Sequence, residues 1–172
     1  FPDDPYLNSV AYTDYCFGSF LEQVKADSAL WSNLLIIGMP DHCYAQYPEG
    51  VQQYDPLRYH IPMFWTGGAI REHRDIDVIG QQTDLSATLL GQLSIPHDDF
   101  NFSKDMFDES IGHYAFYSFS DGFGLITDSC SYVQDNNSNG VGLQPGTDDP
   151  EGAAERWGKA YLQKLYDDLE QR

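Results

Sequence analysis

The strongest constraint on this chain is the run from Asn33 to Cys43, Asn-Leu-Leu-Ile-Ile-Gly-Met-Pro-Asp-His-Cys. Residues 34–39 are apolar and of strand length, which predicts a buried core strand. Pro40 stops the run, and a carboxylate and an imidazole follow side by side at Asp41 and His42. In open α/β sheets ligands gather just beyond the carboxyl ends of strands. A hard oxygen and an imidazole nitrogen placed there suit a divalent cation. An Asp-His dipeptide alone is a weak signal, because such pairs in loops are commonly only solvated or hydrogen-bonded.

The rest of the chain supplies the elements around that run. Phe17, Phe20, Leu21 and Val24 fall on one stripe and predict a helix over 8–25, capped by Asn8 or Ser9, with Gly18 marking close packing. Residues 43–59 are polar and Tyr-rich, broken by Pro48, Gly50 and Pro56, and read as a functional loop. A second buried strand is predicted over 60–66, ended by Gly67-Gly68, and a short one over 76–80. Leu85, Leu89 and Leu93 share the face of a helix over 83–93, with Thr83 or Asp84 as its cap. Residues 100–108 read as an aromatic-anchored loop. From His113 the period changes: 113–119, 122–127 and 130–134 are short, aromatic or β-branched, and separated by turn residues, an antiparallel meander. Residues 135–149 read as a loop. A last helix over 151–169 places Ala154, Trp157, Tyr161, Leu165 and Leu169 on one face.

The fold class expected is therefore α/β, in one domain over 1–172. With 27 acidic and 9 basic residues, the net charge of −18 repels a polyanion, which excludes nucleic acid as a partner. A phosphate or sulfate ester would need a metal or a local cationic pocket. Three cysteines, Cys16, Cys43 and Cys130, form neither a metal-ligand spacing nor a disulfide framework. No apolar run approaches the length of a membrane span. The chain starts at Phe1 without a Met, which suggests a piece of a longer protein whose anchor, if it has one, lies upstream.

Several motifs stand in one order: Asn8-Ser-Val-Ala-Tyr-Thr-Asp14, Phe20-Leu-Glu-Gln-Val-Lys25, Trp31-Ser-Asn-Leu-Leu-Ile-Ile37, Asp41-His42, His60-Ile-Pro-Met63, Gln82-Thr-Asp-Leu-Ser-Ala-Thr-Leu-Leu90 and Phe102-Ser-Lys-Asp-Met-Phe107. The set resembles the C-terminal part of the catalytic domain of sulfatase-like enzymes in the alkaline phosphatase superfamily. The branch it looks most like holds lipoteichoic acid synthases, phosphoglycerol transferases and phosphoethanolamine transferases. The resemblance covers most of residues 8–108. It implies a partial alkaline-phosphatase-like sheet with flanking helices, followed by the small meander. It also implies metal-dependent transfer or hydrolysis of a small or lipid-linked phosphate or sulfate ester, outside the cytoplasm, in a membrane-anchored parent protein.

The family's Asp-His metal ligands carry over to Asp41 and His42, and the metal would be Mn, Mg, Ca or Zn. The family's nucleophile, a Thr or Ser, and a further acidic ligand lie upstream of anything matched here. No catalytic residue is therefore expected within the 172. Alone, the chain should bind metal weakly or not at all and be inactive, its partner being the missing N-terminal part of the same domain. Four positions depart from the family pattern. Pro40 replaces Gly or Asp, Cys43 replaces Gly or a small residue, Ala87 replaces Pro, and Ser103 replaces the Gly of a Gly-Lys-Asp loop.

Other candidates weigh less. His60, beside an apolar strand, reads as a core histidine, or as one that orients a metal ligand or touches substrate. His73, His97 and His113 read as surface or loop. Arg58, Arg71 and Arg74 could hold an anion but suit ordinary surface positions. Asp135 to Gly140 mimics the start of a calcium loop, but Gly146 stands where its bidentate Glu belongs. Cys43 beside His42 is discounted as a nucleophile-base pair, because chain neighbours rarely face each other. The alternative function is a non-catalytic extracytoplasmic binding module. There the acidic surface and the Tyr-rich 44–59 loop would contact a glycan or protein, and the Asp-His pair would be vestigial. Pro40 and Cys43 favour that alternative.

Overall fold

A computed structural model describes residues 3–44, 49–137, 142–143, 148–149 and 151–172. The chain divides into two compact units. Unit 1 is Phe1–Asp41 with Ile61–Asp75, and unit 2 is His42–His60 with Ile76–Arg172.

Unit 1 begins with α1, Pro5–Ala26. Its cap is Asp4, whose carboxylate accepts the Leu7 N–H at 3.0 Å, and Pro5 opens the first turn. The helix thus starts ahead of the expected Asn8 or Ser9, because an Asp-Pro pair satisfies the first turn at no cost in lost donors. Asp27 leaves the helix extended and caps the five-residue α2, Ser28–Ser32, by accepting from the Ala29 and Leu30 N–H groups. Phe17, Leu21 and Val24 are half-buried, and the Phe17 ring meets Phe64 at 5.7 Å. Gly18 does not mark close packing: nothing lies within 4 Å of where its Cβ would be.

Two short strands, β1 (Ile36–Gly38) and β2 (Phe64–Thr66), pair antiparallel, with Ile36 opposite Thr66 and Gly38 opposite Phe64. Both are shorter than expected, and neither is fully buried. A side chain at Gly38 would overlap the Phe64 ring, and one at Gly67, which sits at φ +122°, would overlap the Leu34 carbonyl. Glycine at these two positions lets the backbones of the ribbon close.

In unit 2, residues 76–80 form no strand. The helix α3, Asp84–Gln92, buries Asp84, Ala87 and Thr88. Its leucines do not form the buried face: Leu93 is 58% exposed. Thr83 precedes α3 without a side-chain cap bond, and Asp84 points its carboxylate inward instead. The meander is present as β3 (Tyr114–Phe119), β4 (Gly122–Thr127) and β5 (Ser131–Asp135), each antiparallel to the next. A fourth strand, β6 (Gly142–Leu143), pairs with β5 inside the span read as loop.

The helix α4, Ala153–Glu170, packs on this sheet. Phe123, Leu125, Cys130, Tyr132 and Ala154 form the core cluster, with Tyr114, Phe116 and Leu162 against it. Gly158 is buried because a larger residue would overlap the Phe123 ring. Gln81 ties three elements together. Its Nε2 donates to the Tyr161 hydroxyl at 2.8 Å and to the Phe102 carbonyl at 3.2 Å, and its Oε1 accepts the Phe116 N–H at 2.9 Å. Among the described residues no helix is long and apolar enough to cross a membrane.

Candidate functional site

The chain leaves β1 through Met39 and Pro40, both half-buried, and reaches Asp41 and His42, both exposed. The His42 Nδ1 lies 2.7 Å from the Cys43 carbonyl oxygen. A carbonyl oxygen can only accept, so Nδ1 carries the proton and donates it. In the neutral ring the lone pair is then at Nε2, the tautomer a metal ligand needs.

Cys43 is tied in turn. Its thiol donates to the His60 carbonyl at 2.9 Å, closing the segment between them within unit 2. Cys43 therefore has a structural use that glycine could not supply. His60 itself is exposed rather than buried in a core, and its backbone supplies this tie.

Residues 49–60 carry specific local contacts. Asp55 caps a 3₁₀ turn at Pro56–Tyr59 by accepting the Leu57 N–H at 2.9 Å. The Tyr59 ring stacks on Tyr117 at 4.1 Å, and the Tyr117 hydroxyl donates to the Tyr54 carbonyl at 2.8 Å. Burial raises both phenols above the usual tyrosine range. Residues 45–48 of this segment lie outside the described residues, as do 138–140 and 146 of the calcium-like stretch. What is described there is an Asx turn, with Asp135 accepting the Asn137 N–H at 2.9 Å.

Several of the remaining histidines and arginines make local contacts. His73 pairs with Asp75 at 3.3 Å on the surface, and Arg74 pairs with Glu72. The His97 Nδ1 meets the Ile95 carbonyl at 3.2 Å. His113 is half-buried rather than on the surface, and its Nε2 is buried without a hydrogen-bond partner.

Sequence reasoning missed the pair Asp84–Lys104, the buried charges of unit 2. Asp84 Oδ1 accepts the Lys104 N–H at 3.1 Å, and Oδ2 accepts the Gln81 N–H at 2.9 Å and the Lys104 ammonium. That ammonium also donates to the Tyr114 carbonyl at 2.7 Å and lies over the Tyr114 ring at 3.9 Å. Burial pushes the Lys104 ammonium down, while Asp84 holds it up. A lone lysine among Phe102, Met106 and Phe107 in so acidic a chain was the available signal.

Asp41 and His42 offer one hard oxygen and one imidazole nitrogen. Divalent sites use three or more protein ligands, or two with water and substrate. Among the described residues no group of three or more His, Cys, Asp or Glu side chains is assembled to hold a metal. The donor chemistry fits, as part of a larger set.

The sulfatase family model matches residues 2–95, more than half of the chain. The chain belongs to the sulfatase family. This sulfatase-family chain is also similar to a crystal structure of a protein in the alkaline phosphatase superfamily from Vibrio parahaemolyticus, with a TM-score of 0.65 and 23% identity. That match covers 92% of this chain and 42% of the other. At that identity the likeness shows the fold, a mixed α/β arrangement of helices and small antiparallel sheets. No curated protein matches the chain. Sulfatases and their superfamily are hydrolases and transferases that usually use divalent metals, so membership points to an enzyme in general terms.

Proposed function

We propose that this chain supplies two ligands, the Asp41 carboxylate and the His42 Nε2, to the divalent-metal centre of an enzyme that hydrolyses or transfers a phosphate or sulfate ester. The observation that carries this reading is the His42 Nδ1 bond to the Cys43 carbonyl, which puts the imidazole in the ligating tautomer in an exposed loop just after β1. Family membership supports the reaction class. The metal, Mn, Mg, Ca or Zn, would stabilise charge on the transferring group and activate the nucleophile.

The chain's own residues prepare the place. Asp41 brings the anionic oxygen, His42 the nitrogen, and the Cys43–His60 tie fixes the loop on the His42 side. His60, exposed beside that tie, is the candidate to orient a ligand or touch substrate. The nucleophile and the remaining ligands are proposed to lie in sequence beyond these 172 residues. Two features support that: two ligands do not complete such a site, and the chain spans 42% of the matched structure. The parent protein is proposed to be anchored outside the cytoplasm. Its proposed substrates are small or lipid-linked esters of the phosphoglycerol or phosphoethanolamine type.

The test is to assay the gene-encoded parent protein with Mn²⁺ against a chromogenic phosphodiester and a sulfate monoester. Turnover that chelators abolish is expected. Asp41→Ala or His42→Ala should lower it by about 100-fold or more, since even outer partners of metal ligands cost 10–100-fold. The 172-residue chain alone should turn over neither substrate. Turnover undiminished in both variants would refute the assignment. A folded, inactive parent would favour the binding module with a vestigial pair.

A further inference from the structure

We propose that unit 2 carries a second ligand site, unrelated to the Asp41-His42 loop, which takes a small alkylammonium ion. The site is an open surface pocket of about 450 Å³ bounded by the start of β3, the β4–β5 turn and α4. Its volume falls within the roughly 300–1,000 Å³ of small-molecule pockets.

The aromatic wall is Trp157, which is 39% exposed. Its indole is held edge-to-face against Tyr114, with ring centroids 4.3 Å apart. Tyr114 is itself pinned by Lys104 at its carbonyl and ring. A fixed indole gives the strongest cation–π surface among the side chains. Asp128 and Ser129, in the turn between β4 and β5, line the same pocket. The turn is firm: the Cys130 N–H donates to Thr127 Oγ1 at 3.0 Å, and the Thr127 N–H donates to the Cys130 carbonyl at 2.7 Å.

Charge selects the ligand class. The chain carries −18, and the field at this end of unit 2 is negative. Burial, and then Asp149 and Asp148, push the Cys130 thiol up, and burial, Glu155 and Asp149 do the same to the Tyr132 phenol. Two nearby lysines are neutralised, Lys104 by Asp84 and Lys159 by Glu155, and the Arg156 guanidinium is turned to the Glu151 carbonyl. An anion is repelled here and a cation attracted. A bare metal ion would need several oxygen donors, whereas the lining offers one carboxylate and the His113 imidazole beside an indole and Ile111. An ammonium whose charge is spread over methyl groups uses both kinds of surface.

The test uses the whole ¹⁵N-labelled chain and follows the Trp157 indole N–H signal while tetramethylammonium chloride is added at constant ionic strength. A saturating shift is expected, with the Trp31 and Trp65 signals as unmoved controls. Uncharged tert-butanol should bind about tenfold more weakly, the ratio expected when a cation–π term of ordinary size is lost. Asp128→Asn, in an exposed turn, should weaken binding about threefold to fivefold. Three results would overturn the proposal: no saturation below about 100 mM, equal response to tert-butanol, or Asp128→Asn binding as tightly as the parent. Binding to phosphatidylcholine vesicles without a response to the free ion would overturn it as well.

Discussion

Lys104→Met is the sharpest probe of what holds unit 2 together. Asp84 is 0% exposed, and its carboxylate is met by two backbone N–H groups and the Lys104 ammonium. Methionine keeps most of the lysine stem and removes only the charge and its bonds. Asp84 then keeps a buried charge with two neutral donors, and the Tyr114 carbonyl loses its partner. Breaking a buried pair from one side costs about 3–5 kcal/mol, because the remaining charge is uncompensated. Against a typical total stability of about 5–15 kcal/mol that is a large share. It should lower Tm by roughly 6–20 °C at about 2–4 °C per kcal/mol for a chain of this size.

Asp84→Asn removes the other charge while leaving an oxygen to accept one backbone N–H. The double variant Asp84→Asn/Lys104→Met should therefore be more stable than Lys104→Met alone, by about 1–2 kcal/mol. Urea unfolding at neutral pH, followed by far-UV circular dichroism, measures all four proteins. A Lys104→Met loss below about 1 kcal/mol, or costs that simply add in the double variant, would refute the reasoning.

Four further outcomes are expected. Gly158→Ala should destabilise by about 1–3 kcal/mol, because the methyl would overlap the Phe123 ring. Gly18→Ala, with open space around it, should stabilise by about 0.5–1 kcal/mol; thermal melts of both variants check the contrast. Burial, and then the Tyr161 and Asp84 charges, push the Tyr114 phenol up to about 12, and burial also raises Tyr117 and Tyr161. Below about pH 10 both folded and unfolded chains keep these protons. Above it the unfolded chain loses them first, so stability should fall from there through pH 12, read as the urea midpoint against pH. Ser103→Gly should cost about 0.5–1.5 kcal/mol by removing the hydroxyl that accepts from the Ala87 N–H, measured by urea denaturation.

How much of this was legible depended on how far apart the interacting residues lie. The meander was readable almost residue by residue, since turn residues and alternation over 113–134 are local signals. The helices α1 and α4 were readable for the same reason, though their stripes were only partly right, since Phe20, Trp157 and Leu169 are exposed, and α1 starts earlier, where Asp4-Pro5 passed for a lead-in. Apolar runs were over-read. Residues 34–39 yield three residues of β1, and 76–80 yield none, because a strand needs a partner and the run does not say where one is. The two-residue β6 was invisible, being defined by the edge of β5 rather than by its own sequence. The site divides in the same way. Asp41-His42 after a strand is local chemistry, whereas the Cys43 tie to His60 spans 17 residues and the Asp84–Lys104 pair spans 20.

The two helix-side departures from the family pattern make the same point from the other direction. Read singly, Ala87 in place of Pro and Ser103 in place of Gly are two unrelated substitutions. In the fold they touch: the Ala87 N–H donates to Ser103 Oγ at 2.8 Å. Ala87 stands four residues after the N-cap Thr83, at the end of the first turn of α3, and its N–H reaches the Ser103 hydroxyl on the neighbouring loop. A proline there has no donor to satisfy, so a glycine opposite suffices. An alanine restores the donor in a buried position, and the Ser103 hydroxyl accepts from it. Each departure supplies the reason for the other. The Cys43 thiol does the equivalent work beside His42 by donating to the His60 carbonyl. The departures with a visible partner are thus internally compensated.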